Sequence, residues 1–304
     1  MRRLPLLAMT GMVAVGLTLS ACGSDSLEPG SGSPSSPSAS TPASTGSADA
    51  ALAEKVPDKI KSAGKIIVGI DASYAPNEFI GNDGKTVEGM DVDLFNAVAA
   101  KLGVTAEYQN AGFDTIILGV TGGKYDAGVS SFTINDDRKK EVNMVSYFNA
   151  GTQWVAKTGN PKNVDPNNAC GLTIGVQKGT VQETDDLPLK QKACKDAGKP
   201  DITLVVQEKQ DQVTADVVSG KTDAMLADSP IGLYAVKQTN GQLEAVGDIY
   251  DAAPYGFVVP KDQADFAQAI ADALKALKAD GTYDAVLKQW GNESGGITDF
   301  AVNP

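Results

Sequence analysis

Two stretches of the chain share one construction. GFDTIILGVTGGKYDAGVSSFT (112–133) and DQVTADVVSGKTDAMLADSP (211–230) each run an apolar helical pattern into Gly-Lys. Each then opens a strand on Tyr-Asp-Ala or Thr-Asp-Ala and ends it in polar residues. A helix-then-strand unit written twice restricts the fold to α/β, with two halves of similar build. In open α/β sheets ligands sit at the carboxyl ends of strands. A ligand held between the two halves is therefore expected.

The surrounding sequence extends both units. KIIVGID (65–71), VTAEYQNA (104–111) and AGVSSF (127–132) read as strands. DVDLFNAVAAKLG (91–103) puts Phe95, Val98, Ala99 and Leu102 on one helical face before Gly103 stops it. The second unit begins at LTIGVQKGT (172–180) and continues through ITLVVQ (202–207), a helical QVTADVVSGK (212–221) and the strand DAMLAD (223–228). It returns through YGFVVPK (255–261) to two C-terminal helices at 264–281 and 282–291.

Ahead of this lies a leader. MRRLPLLAMTGMVAVGLTLSAC has a basic start, an apolar run and small residues before Cys22, the pattern of a secretion signal. Leu19-Ser20-Ala21-Cys22 matches a lipobox, so residues 1–21 are expected to leave and Cys22 to carry a diacylglycerol in the cell membrane. Residues 22–50 are rich in Ser, Pro, Gly, Thr and Ala, too poor in apolar surface to offset ordering. They read as a flexible tether reaching on the order of 30 Å. An extracytoplasmic body on a lipid leash is implied.

Charge and residue types exclude several chemistries. The net charge of −12 becomes −14 without Arg2 and Arg3, which argues against nucleic acid as a partner. The chain has no histidine, which removes Ser-His-Asp and Cys-His catalysis and histidine metal sites. No cofactor or metal is expected. Cys170 and Cys194 remain after lipidation, and in an exported chain they read as a disulfide, with free buried thiols as the alternative.

The polar groups gather where strands end. Asp71 and Tyr74 follow the first strand; Ser130, Ser131, Thr133 and Arg138 follow the third; Gly179, Thr180 and Gln182 follow the first strand of the second half; Asp228 closes its last. Arg138 is the only arginine beyond the leader, against 23 lysines. Its planar guanidinium grips a carboxylate through two parallel hydrogen bonds, which lysine cannot do. A guanidinium with hydroxyls and backbone N–H groups, facing an unpaired aspartate, complements a zwitterion: carboxylate to Arg138, ammonium to Asp228.

GIDASYAPNEFI, GMDVDLFNAVAAKLG, AGFDTIILGVTGGKYDAGVSSFTINDDRKKEV, GVQKGTVQE, DAMLAD and ADGTYDAVLKQWG together resemble the solute-binding lipoproteins of ABC importers for polar amino acids. Those have the two-lobed type II periplasmic-binding-protein fold with a ligand cleft between the lobes. The resemblance implies that Arg138 takes the ligand α-carboxylate, helped by Thr133 and backbone amides near Ser131 and Thr180. It implies Asp228 and the Ser131 carbonyl for the α-ammonium, Tyr74 and Phe113 sandwiching the side chain, and Asp71 at its far end. Gln177 sits where side-chain specificity is often set. Val181 stands where relatives often have a hydroxyl, and Asn77 replaces the usual aromatic of a YAPFEF pattern.

The same resemblance implies lobe I from residues 51–153 and 253–304, lobe II from 154–252, and a hinge near Ala150–Trp154 and Val246–Ala253. The expected partners are a free amino acid, ABC permease and ATPase subunits, and a bilayer through Cys22, with the protein itself a monomer. Asp71 repels an acidic side chain, so a neutral polar ligand such as glutamine is favoured, with a basic one as the alternative. A dehydratase-type enzyme on this scaffold, or an amino-acid sensor without transport, are the rival readings.

Overall fold

The computed structural model describes residues 48–304. The signal peptide expected at 1–21, the lipidated Cys22 expected after it and the expected tether up to residue 47 lie outside the described residues.

The described chain begins with two short helices, α1 (Ala50–Glu54) and α2 (Asp58–Ala63), and then strand β1 (Lys65–Ile70). Three short strands follow, β2 (Ser73–Tyr74), β3 (Glu78–Ile80) and β4 (Val87–Glu88), forming a small sheet of their own. Next come α3 (Met90–Lys101), β5 (Thr105–Asn110), α4 (Phe113–Thr121), β6 (Ala127–Thr133), α5 (Asp136–Glu141) and the long β7 (Val142–Lys157). The second half carries β8 (Thr173–Gln177), a π-turn at Gln182–Asp186, α6 (Leu187–Asp196), β9 (Thr203–Gln207), α7 (Gln210–Ser219), β10 (Ala224–Asp228) and α8 (Ser229–Gln238). The 18-residue β11 (Leu243–Pro260) returns to α9 (Ala264–Ala279) and α10 (Thr282–Trp290).

The large sheet has the order β5-β1-β6-β11-β7-β10-β8-β9. β1 runs parallel to β5 and β6, and β8 runs parallel to β9 and β10. Between these parallel sets, β7 and β11 pair antiparallel to each other and pass from one half to the other. β11 meets β6 near Tyr255, while β7 meets β10 from Thr152 to Ala156. The β7–β11 register slips between Val246 and Tyr250 and again before Ala253.

The repeated motif has a physical reason in each half. Gly123 and Gly220 sit just before the motif lysines with φ of 73° and 82°, a left-handed conformation that favours glycine after a helix. The motif aspartates then serve the neighbouring strand. Asp126 accepts from the Ile67 backbone N–H at 2.9 Å, beside β1, and Asp223 accepts from Thr173 N–H at 2.8 Å, at the start of β8. Each aspartate thus ties two parallel strands together at their entry edge.

Each half has its own core. In the first, Phe95, Tyr147, Phe257, Ile270, Leu274 and Tyr283 are fully buried among β1, β7, β11 and helices α3, α9 and α10. In the second, Trp154, Ile174, Val176 and Leu226 fill one face of the sheet. Val155, Val213, Val217 and Met225 fill the other. Cys170 and Cys194 are disulfide-bonded, with Cα atoms 5.5 Å apart, as expected from their number and compartment. No described helix is long and apolar enough to cross a membrane.

The helical pattern expected to run into Gly-Lys stops sooner, at Thr121, before the glycine pair. The sequence reading passed over β7 as a strand, and over α5, in which no residue is buried.

Candidate functional site

The strand ends from both halves converge. Arg138 lies in the first turn of α5, whose N-cap Asn135 accepts from the Arg138 backbone N–H at 2.9 Å. The side chain folds back over the end of β6. Nη1 donates to the Thr133 carbonyl at 2.7 Å, and Nη2 reaches the other half to donate to the Gly179 carbonyl at 3.0 Å. The guanidinium lies 5.5 Å from the ring centres of both Phe113 and Phe132, which stack at 4.7 Å. Burial lowers its pKa to about 10, opposed first by the charge of Asp228. The charge of Asp228, on the second half, thus acts on Arg138, on the first.

Asp228 is not unpaired, which corrects the sequence reading. Tyr74 and Tyr255 donate their hydroxyls to its Oδ2 at 2.9 and 2.7 Å, and Gln182 Nε2 donates to Oδ1 at 2.7 Å. A buried carboxylate needs such partners, and they arrive from β2, from β11 and from the turn before α6. Burial raises the Asp228 pKa, while Tyr255, Gln182, Tyr74 and then Arg138 hold it down. Three donors leave lone pairs on the carboxylate for a cation.

Asp71 ends β1 and is 2% exposed. Its Oδ2 accepts from Gln177 Nε2 at 2.7 Å, across the two halves, and from the Phe113 backbone N–H at 3.2 Å. Burial raises its pKa, with Ser73, Phe113 and Gln177 opposing. Gln177 keeps its amide oxygen buried with no partner. The Asp71 end of the site thus offers a carboxylate and a free carbonyl, both acceptors.

Ser130 and Ser131 are buried beneath these groups. Ser131 has φ of 50°, unusual for a residue with a side chain. Thr180 is buried and turns its hydroxyl to the Gln177 carbonyl at 2.7 Å, shaping the loop that presents Gly179. Gly179, at φ 78°, packs so closely on the first half that a Cβ there would lie 2.9 Å from Asp114 Cβ. Phe113 has one face covered by Phe132, and Tyr74 packs with Ala227 and Ile231.

Of the residues singled out from the sequence, Asp71 and Gln177, Tyr74 and Asp228, and Arg138 with Gly179 make contacts from one half to the other. Sequence reasoning missed Tyr255 and left Gln182 without a role. Gln182 follows Thr180 by two residues, and that spacing was a usable signal. Tyr255 was hidden, because only the register of β11 against β6 brings it to Asp228.

The family described as bacterial extracellular solute-binding proteins, family 3, matches residues 66–293. The arginine-binding protein ArgT of Corynebacterium glutamicum is 36% identical over 248 residues, covering 82% of this chain and 81% of that protein. The ABC transporter glutamine-binding protein GlnH of Bacillus subtilis is 28% identical, covering 76% of this chain and 82% of that protein. Among solved structures, an ancestral arginine-binding protein bound to arginine matches with a TM-score of 0.68 and 34% identity. It covers 75% of this chain and 98% of its own.

Proposed function

Because the chain belongs to the bacterial extracellular solute-binding proteins, family 3, we propose that it captures a free amino acid between two lobes and delivers it to an ABC importer. Lobe I comprises residues 51–153 and 253–304, lobe II residues 154–252, and β7 and β11 carry the hinge. Arg138 takes the α-carboxylate in place of the Gly179 carbonyl, assisted by Thr133 and the amides near Ser131 and Thr180. Asp228 and the Ser131 carbonyl take the α-ammonium. Tyr74 and Phe113 border the side chain.

The ligand follows from the acceptors at the far end. Asp71 offers a carboxylate and Gln177 an unpartnered carbonyl, which favour a side chain ending in N–H donors. Arginine supplies only donors there. Glutamine supplies two donors but brings a carbonyl of its own, for which the far end has only amide N–H groups already in use. We therefore place arginine ahead of the glutamine-like ligand favoured by the sequence alone. The similarity to ArgT supports the same order.

Binding without turnover is the accompanying reading, supported by relatives that are transport binding proteins. Cys22 anchors the body to the extracytoplasmic face of the membrane, and mass spectrometry of the mature N-terminus tests the lipid. Titration calorimetry of the full chain against the twenty amino acids tests the ligand. L-arginine should bind most tightly and L-glutamine more weakly; a chain that binds none of the twenty would end this reading.

A further inference from the structure

Beneath the site lies a pair of carboxyl groups that no ligand contact uses. Glu78 on β3 and Asp91 on α3 are both 0% exposed, and neither is ion-paired among the described residues. Their partners are hydroxyls and one backbone N–H. Ser130 Oγ donates to Glu78 Oε1 at 3.0 Å, and Ser131 N–H donates to Asp91 Oδ2 at 3.0 Å. Tyr147 donates its hydroxyl to the same Asp91 oxygen. Ser131 Oγ lies 3.1 Å from Asp91 Oδ2 and 3.3 Å from Glu78 Oε2. It also accepts from Asn77 Nδ2 at 2.9 Å, so its single proton serves only one carboxylate at a time.

Asp91 Oδ1 is buried and has no donor at all. Two ionised carboxylates joined through one serine hydroxyl, without a cation and with one oxygen orphaned, are not a stable arrangement. A proton on Glu78, directed toward Asp91, leaves one negative charge on the pair. Burial and the charge of Asp91 push Glu78 well above the usual carboxylate range, in agreement with that assignment.

The pair bears directly on the site. Ser131, held at φ 50° by Asp91, presents the carbonyl assigned to the ligand ammonium. Ser130 Oγ, which donates to Glu78, also accepts from the Asp71 backbone N–H at 3.1 Å. Asn77, which stands where an aromatic is usual, completes the chain and is fixed by Asn292 at 3.3 Å. We propose that Glu78 is a positioning residue kept as a neutral acid, whose proton joins it to Asp91 and so fixes Ser131 and Asp71 for the ligand.

The groups facing the pair are Tyr147 from β7, Tyr108 from β5, and Tyr74 and Asp71 from the segment after β1. Tyr255 of β11 lies behind Tyr147 at 6.0 Å. All are neutral hydroxyls or further acids, so nothing nearby stabilises a second negative charge. An acid whose folded pKa is raised supports the fold below its unfolded value and withdraws that support as pH rises through the raised value. Stability and affinity are thus lost together as pH rises through that raised value.

This inference rests on the ligand reading above, so its test has one arm free of ligand. Infrared spectra of the full chain at about pH 8 should show the carbonyl stretch of a protonated carboxylic acid, absent in Glu78→Gln; no such band in the parent chain overturns the proposal. Glu78→Gln keeps an N–H donor toward Asp91 and cannot ionise. Calorimetry with L-arginine from neutral to alkaline pH should show the parent chain weakening more steeply than Glu78→Gln, by about tenfold at the alkaline end. Parallel curves overturn the proposal. If neither chain binds L-arginine, the ligand reading fails, and the infrared band decides for or against Glu78.

Discussion

Arg138 is held by packing before any ligand arrives. Its guanidinium lies against two stacked rings and its N–H groups rest on two backbone carbonyls. Arg138→Lys keeps the charge but loses the fork. The expected cost to L-arginine affinity is about 2–4 kcal/mol by calorimetry, because a buried charge pair is left incompletely bonded. An unchanged dissociation constant would retire the role given to it. Asp71 makes a second residue-scale prediction with the opposite pH sense to Glu78. Burial raises its pKa, so it takes up a proton as pH falls, and a cationic side chain then loses its partner. Affinity for L-arginine should fall on the acid side, and Asp71→Asn should bind weakly with a flatter acid limb. A parent chain whose affinity holds steady down through the acid range would remove Asp71 from the far end of the ligand.

The loop between β8 and α6 is the element that brings the halves into contact. Gly179 occupies a left-handed conformation and leaves no space for a Cβ against Asp114. Gly179→Ala therefore meets backbone strain and a steric block, together worth about 1–3 kcal/mol. The strain lowers the ligand-free melting temperature whether or not the halves meet, but the block exists only where they meet, so L-arginine affinity should lose more free energy than ligand-free stability does. Equal loss of both would mean that the loop matters to the fold and not to closure. The disulfide fastens α6 to the chain before β8, with Cys194 buried in the second core. Replacing both cysteines with serine should lower stability by about 3 kcal/mol, since it frees a loop of 24 residues in the unfolded chain. A thermal melt unchanged by that replacement would contradict it. At this scale the sequence was most readable where pattern is local. The repeated Gly-Lys-x-Asp-Ala segments announced their helix, turn and strand, since the glycine and the aspartate act within a few residues of themselves. β7 and the acid pair were illegible for the converse reason. β7 is interrupted by Ser146, Asn149 and Thr152; Ser146 is buried against the backbone of the C-terminal segment and Thr152 against Gln182, while Asn149 is exposed. Asp91 reads as an exposed first-turn acid until Tyr147, 56 positions away, is placed beside it.

Under the proposed function, affinity for the whole molecule is a property of an equilibrium between separated and joined halves. A ligand shifts that equilibrium only by binding one state better than the other, and protein contacts that form only on joining bias it independently. The residues behind such a bias can be named. Lys178, on the second half, lies 3.0 Å from Asp114 on the first and 3.0 Å from Glu208 on its own half. Glu208 holds the ammonium in place whether or not the halves meet, so only the contact with Asp114 depends on closure. Lys178 is half exposed, and the attraction is therefore screened by salt. Three consequences follow for titrations with L-arginine. Added salt should weaken binding by the parent chain beyond any effect on the buried charges of the site. Lys178→Met should bind more weakly at low salt and converge on the parent as salt rises. Asp114→Asn should behave alike, whereas Glu208→Gln should keep most of the affinity, since it leaves the bridging contact intact. If Lys178→Met and the parent chain lose affinity in parallel across the salt range, the ion pair takes no part in closure, and the bias must then come from the other contacts between the halves, those of Gln177 with Asp71, Arg138 with Gly179, and Tyr74 and Tyr255 with Asp228 among them.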